Sequence, residues 1–184
     1  MQKTRASLHR ALLGLAREKP YPAIEVKEIL DRANVGKSTF YMHFRDKDDL
    51  FETGIHEILQ SFQGPPCAGR PFERLLAFSL PFLTHINEHR RAAGPRMKRE
   101  GRVIMHEHLE EVLRSRIADE VETLRRDRPD TGVPTDLVAR YVASTFVLVL
   151  NWWVERATPL SPADADARFR SLVMPTLTGL LKPL

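Results

Sequence analysis

The chain has 184 residues, of which 42% are hydrophobic and 28% charged, enough for one moderate domain or a small one joined to a larger, with no need of a disulfide or metal staple. Its single cysteine, Cys67, excludes an internal disulfide and reads as a loop thiol in a reducing compartment. Net charge is +4, but residues 1–60 hold 10 Lys+Arg against 9 Asp+Glu, so nucleic-acid binding there must rest on placed residues and not on a general positive field.

The opening "MQKTRASLHRALLGL" lacks the pattern of a signal peptide, because His9 and Arg10 interrupt its apolar positions. The longest apolar run, "FVLVLNWWV" at 146–154, is short for a bilayer span and is broken by Asn151. The expectation is a cytoplasmic protein with no membrane partner.

Proline and glycine divide the chain into segments of helical periodicity, and no segment alternates with a strand's period of two. The fold class expected is all-α. Residues 4–18 place Leu8, Leu12, Leu15 and Ala16 on one face. Residues 25–33 form a short second helix on Val26, Ile29, Leu30 and Ala33. Asn34-Val35-Gly36 is a tight turn, with Asn suited to a left-handed helix end. A third short helix spans 36–43, anchored by Phe40 and Phe44 on one face. A fourth spans 46–62, with Asp46 as its N-cap and Asp49 near its positive end. Two short helices about a three-residue turn are the helix-turn-helix pattern. Beyond it, helices are predicted over 71–90 (kinked at Pro81), 102–127, 135–157 and 162–181. The helix over 135–157 is apolar nearly all round from Phe146 to Val154, which argues for burial against a second chain as well as the core.

With Phe40 and Phe44 turned inward, Lys37, Ser38, Thr39, Tyr41, Met42 and His43 occupy the remaining surface of the third helix. Lys, Ser and Thr at the start of such a helix can hydrogen-bond base edges in a major groove, whereas Tyr41, His43 and Lys47 suit phosphates.

Residues 4 to 60, through "ALLGLAREKPY" and "IEVKEILDRANVGKSTFYMHFRDKDDLF", closely resemble the N-terminal domain of the TetR family of bacterial transcriptional regulators. The resemblance implies a three-helix DNA-binding domain over 1–63 and a larger helical regulatory and dimerisation domain over 70–184. It implies that Thr39, Tyr41, His43 and Lys47 touch the DNA backbone or nearby bases. Lys37 and Ser38 match positions that help set operator sequence, and Lys27 matches one that can also reach DNA. Two positions depart from the family pattern: Glu25 stands where Thr or Ser is common, and Gly36 where Ser is common.

The run "YVASTFVLVLNWWVERATPLSPADADARFRSLVMPTL" is similar to one C-terminal subgroup of that family. It implies a homodimer through the helices at 135–157 and 162–181, and a small-molecule effector. Candidate pocket residues are Phe78, Phe82, Ile86, Val103, Met105, Leu109, Tyr141, Phe146 and Trp152, which periodicity alone equally assigns to packing. Trp152 and Trp153 must face different directions. The basic run "HRRAAGPRMKREGR" at 89–102 reads as a solvated loop or a site of long-range attraction. His85 with His89 has helical chelate spacing, and His106 and His108 follow, but no cysteine cluster accompanies them and no metal or cofactor is expected. No nucleophile–base set or phosphate loop is recognisable, so no enzyme is expected. The function expected is a dimeric regulator, read as a repressor released from a palindromic operator by a small molecule. A co-regulator that keeps the helix-turn-helix shape but acts through protein contacts is the alternative.

Overall fold

The computed structural model describes residues 2–61, 71–93, 99–126, 132–155 and 160–181, and the side chains of 2, 71, 89–105 and 181 lie outside the described residues. Among the described residues the elements are α-helices and one 3-10 turn, with no strand. The helices are α1 (Gln2–Glu18), α2 (Val26–Ala33), α3 (Lys37–Tyr41), α4 (Lys47–Ser61), α5 (Pro71–Leu75), α6 (Ser79–Ala93), α7 (Arg99–Arg125), α8 (Thr135–Glu155) and α9 (Pro162–Leu181). Two compact units result: Met1–Glu57 with Ala93–Leu109, and Ile58–Ala92 with Glu110–Leu184.

In the first unit the predicted faces meet. Leu8, Leu12 and Leu15 of α1 are buried with Ile29 of α2, Phe40 of α3 and Leu50 of α4. The α2–α3 turn forms because Asn34 takes φ 52° and ψ 50°, a left-handed conformation that asparagine tolerates. The Val35 amide then reaches back to Leu30 O at 3.1 Å, ending α2. Asp46 does cap α4: its Oδ1 accepts the Asp49 amide at 2.8 Å, while Asp49 Oδ2 accepts the Arg45 amide at 2.8 Å. α3 is shorter than the span 36–43, although its turn continues as the amides of His43 and Phe44 both donate to Phe40 O at 2.9 Å.

The second unit corrects one expectation. Residues 71–90 are two helices and not one kinked at Pro81, because α5 ends at Leu75 and a turn precedes α6. Pro81 therefore lies in the first turn of α6, where its missing amide costs no intrahelical bond. The turn is held by buried polar groups. Ser79 Oγ bonds Asp166, Arg170 Nε donates to Asp166 Oδ2 at 2.7 Å, and an Arg170 terminal nitrogen donates to Leu76 O at 3.0 Å. Ser161 caps α9 reciprocally with Asp164, whose carboxyl is held below its ordinary range by the hydrogen bonds from the Ser161 hydroxyl and amide.

α8 is long and apolar enough to cross a bilayer by length and composition, but half of that stretch is buried within the unit. Its buried face runs from Val138 to Trp153. It is a core helix.

Candidate nucleic-acid interface

α3 is oriented by its buried side. Phe40 and Phe44 are buried with ring centroids 5.6 Å apart, and Arg5 lies 5.6 Å from the Phe44 ring centroid. On the other side Lys37, Ser38, Tyr41 and Met42 are exposed, and Thr39 and His43 half-buried. Lys27 is exposed on α2. An open surface groove of about 430 Å³ runs between α2 and α3, lined by Val26, Lys27, Leu30, Asp31, Val35, Lys37 and Tyr41. Lys37 Nζ stands 6.0 Å from the Tyr41 ring centroid. Of the residues named from the sequence, Lys27, Lys37 and Tyr41 thus line one groove, while Ser38, Thr39 and His43 lie elsewhere on the accessible surface of the α3 turn.

Lys47 differs. Its ammonium donates to three backbone carbonyls, Tyr21 O at 3.0 Å, Pro22 O at 3.1 Å and Ile24 O at 2.9 Å. It also lies 4.9 Å from the Tyr21 ring centroid. A lysine has three protons to donate, so this geometry leaves none for a phosphate and makes Lys47 a clamp on the turn before α2. The Tyr21 hydroxyl completes the clamp by donating to Asp48 Oδ1 at 2.7 Å. Burial and the Asp48 carboxylate push the Tyr21 phenol well above its ordinary range, so it stays a donor. The sequence signal for this arrangement was present in the aromatic Tyr21 between Pro20 and Pro22, but nothing local links it to Lys47 across α2 and α3.

Glu25 is exposed at the N-cap of α2, and its amide donates to Glu28 Oε2 at 2.9 Å. Glu28 also pairs with Lys19. Gly36 caps α3 at φ −68°, a conformation open to any residue, and a Cβ there would meet Thr39 Oγ1 at an ordinary 3.9 Å. Its lack of a side chain is therefore no steric requirement.

Within the second unit, the phenylalanines considered for a pocket pack on one another. Phe78, Phe82 and Phe146 are buried in the second unit and pack edge-to-face, Phe78–Phe146 at 5.0 Å and Phe82–Phe146 at 5.7 Å. Phe169 adds a further ring 5.2 Å from Phe146. These aromatics are a packed core. Ile86 is half-buried in the second unit, and Leu109 is buried in the first. Tyr141 donates to Leu172 O at 2.9 Å, and Trp152 lies 5.8 Å from the Arg168 guanidinium. Val103, Met105 and His89, like Cys67 and the basic run 89–102, fall outside the described residues or side chains. His108 Nδ1 lies 2.9 Å from Glu52 Oε1, engaged with α4. Among the described residues no group of three or more His, Cys, Asp or Glu is placed to hold a metal.

Residues 9–53 match the family described as bacterial regulatory proteins, tetR family, and residues 73–174 match a transcriptional regulator C-terminal region. None of the curated proteins compared with the chain matches it. Solved structures give the same fold at low identity. A TetR-family regulator from Syntrophomonas wolfei aligns at TM-score 0.65 and 18% identity over 100% of this chain and 99% of its own. NalD of Pseudomonas aeruginosa, the secondary repressor of the MexAB-OprM multidrug efflux pump, aligns at TM-score 0.53 and 19% identity over 100% of both chains. The fatty acid degradation regulator FadR of Bacillus halodurans aligns at TM-score 0.56 and 19% identity over 98% of this chain and 96% of its own. A helix-turn-helix with an outward polar face, joined to a regulatory region matched over more than half of the chain, fixes the assignment: the chain belongs to the TetR family of transcriptional regulators and is not an enzyme.

Proposed function

We propose that the protein is a homodimeric repressor that reads a palindromic operator with α3 and leaves it when a small molecule binds the helical regulatory region. The observation that carries the DNA-reading role is the surface of α3, where Lys37, Ser38, Thr39, Tyr41 and His43 surround a helix anchored by buried Phe40. In this reading Lys37 and Ser38 meet base edges, and Thr39, Tyr41, His43 and Lys27 fix position on the backbone.

Dimerisation through α8 and α9 is supported by an exposed stripe on each. On α8, Leu137 and Leu148 are 54% and 63% exposed, with Tyr141 and Trp152 on the same side. On α9, Leu172 is 51% exposed and lies in line with Arg168, Pro175 and Gly179. Tyr141–Leu172 and Trp152–Arg168 join the two stripes into one surface. A two-fold pair places two α3 helices on major grooves one helical turn apart, about 34–36 Å, or a multiple of it. A ligand that favours another spacing weakens DNA binding, and DNA weakens the ligand's binding equally.

The test is selection of bound fragments from a random duplex library, with a Thr39→Ala/Tyr41→Ala variant as control. A palindrome recovered by the unmutated protein alone supports the reading. No enriched motif from folded, dimeric protein sinks it and favours the co-regulator reading, for which exposed Glu25, a carboxylate beside the DNA face, is the supporting feature. A promoter reporter then gives the sign of regulation.

A further inference from the structure

We propose that Met42 is a specificity-determining residue, reading a thymine 5-methyl group in each half-site; this rests on the DNA-reading role just given. An α-helix turns by about 100° per residue, so Ser38 and Met42, one turn apart, stand opposite Phe40. The helical path persists through Met42, whose φ is −71° and ψ −18° and whose amide donates to Ser38 O at 3.1 Å. Phe40 is fully buried and Met42 is 72% exposed. The centre of the outward face is therefore one small hydroxyl and one apolar thioether chain. Lys37 and Tyr41 flank it on one side, Thr39 and His43 on the other.

Met42 has no donor to offer a phosphate, and its sulfur is a weak acceptor. What it offers is apolar area at the middle of a surface otherwise polar. In a major groove the apolar feature of the base edges is the thymine methyl, and apolar side chains recognise it by contact. Methionine is unbranched, with three rotatable bonds, and can follow the groove wall. The neighbouring cations Lys27 and Lys37 favour a partner that pairs apolar spots with a phosphate backbone over an apolar protein groove. Asp31 in the same groove is the one acidic group there and lies on the α2 side.

The test uses the full-length dimer and the operator selected above. Each thymine of a half-site is replaced in turn by deoxyuridine, which removes the 5-methyl group and leaves the hydrogen-bonding edge unchanged. Affinity is measured for the unmutated protein, Met42→Ala and Met42→Leu. The expected result is a loss of about fourfold per half-site at one thymine for the unmutated protein, the factor for one buried methyl-sized group. The same swap should matter less than about 1.5-fold for Met42→Ala, and an intermediate sensitivity should return with Met42→Leu. Three results overturn the inference while leaving the DNA-reading role intact: a selected half-site without thymine, no swap that costs the unmutated protein more than about 1.5-fold, or an equal cost in Met42→Ala. Failure to select any motif overturns the DNA-reading role itself, and Met42's part with it. Met42 is mostly exposed, so circular dichroism should find each variant folded.

Discussion

Replacing Lys47 by methionine separates two roles for the same residue. The change keeps the aliphatic stem and removes the ammonium that bridges Tyr21 O, Pro22 O and Ile24 O. Hydrogen bonds to a charged group contribute about 1.5–3 kcal/mol each when the partner is left unsatisfied. The bond to Pro22 O is exposed, so water can replace it, while the bonds to Tyr21 O and Ile24 O are partly buried and incompletely replaced. The cation over the Tyr21 ring adds about 0.5–1 kcal/mol. Solvent screening and restored side-chain freedom offset part of this, leaving a net loss of about 2–3 kcal/mol. For a chain of this size that is a drop in Tm of about 4–12 °C, read by circular dichroism. A phosphate contact predicts something else. Two copies per dimer would each carry about 0.9 of the log–log salt dependence of DNA binding, so the slope would fall by about 1.8 with the Tm unchanged. The clamp predicts a lowered Tm and an unchanged slope, measured at a temperature where the variant is fully folded. An unchanged Tm with the shallower slope would refute the clamp.

Asn34→Ala should cost about 1 kcal/mol in urea unfolding, because alanine pays more for the left-handed conformation at φ 52°, while Asn34→Gly should be neutral within about 0.5 kcal/mol. His9 is mostly buried and its ring nitrogen lies 2.9 Å from Leu50 O; burial holds its pKa below the ordinary 6.5, outweighing the attraction of Glu57. The unfolded chain therefore takes up the proton first, so stability is full above about pH 6.5 and is lost as pH falls through the lower folded-state pKa; urea midpoints should show this slope, and His9→Gln should flatten it. Gly54→Ala puts a Cβ 3.2 Å from the His9 ring, which must give by a few tenths of an ångström, so the gain of about 1 kcal/mol expected for alanine in a helix interior should be offset, and the same assay should show no net stabilisation. Gly36→Ser meets only an ordinary contact with Thr39 Oγ1 at 3.9 Å, has a compatible φ of −68°, and puts a hydroxyl at the start of α3; operator affinity should rise by a few fold, and an unchanged affinity would remove that position from the DNA contact.

The helix-turn-helix was legible because its signals are local. Asn34 marks the end of α2, Asp46 the start of α4, and the four-residue spacing of Phe40 and Phe44 fixes which side of α3 faces inward. The break before α6 was not legible in the same way. A proline inside a helical pattern announced a disturbance near 81, but the chain breaks before Ser79, where Asp166 and Arg170 of α9 hold the turn. Those partners lie 87 and 94 residues away from the groups they hold, beyond any window of periodicity. The aromatic core of the second unit stayed open between pocket and packing for a related reason. Apolar spacing tells which residues turn inward, not whether they enclose space or fill it, and Phe78, Phe82, Phe146 and Phe169 fill it.

The charge count of the first sixty residues also changes meaning once partners are known. Of the ten cations, Arg5 pairs with Glu57, Lys19 with Glu28, Arg32 with Glu18 and Arg45 with Asp49, and Lys47 is held by carbonyls. Four of the ten are thus paired with carboxylates within the protein and add little to a field felt by DNA, and Lys47, though still charged, has its ammonium turned to carbonyls. Lys27 and Lys37 stand on the α2–α3 face itself. Recognition by such a surface depends less on attraction at a distance than on fit at contact. In the reading proposed above, that shifts the discriminating work to the outward side of α3, where polar groups would choose hydrogen-bonding edges and exposed Met42 would supply the apolar contact.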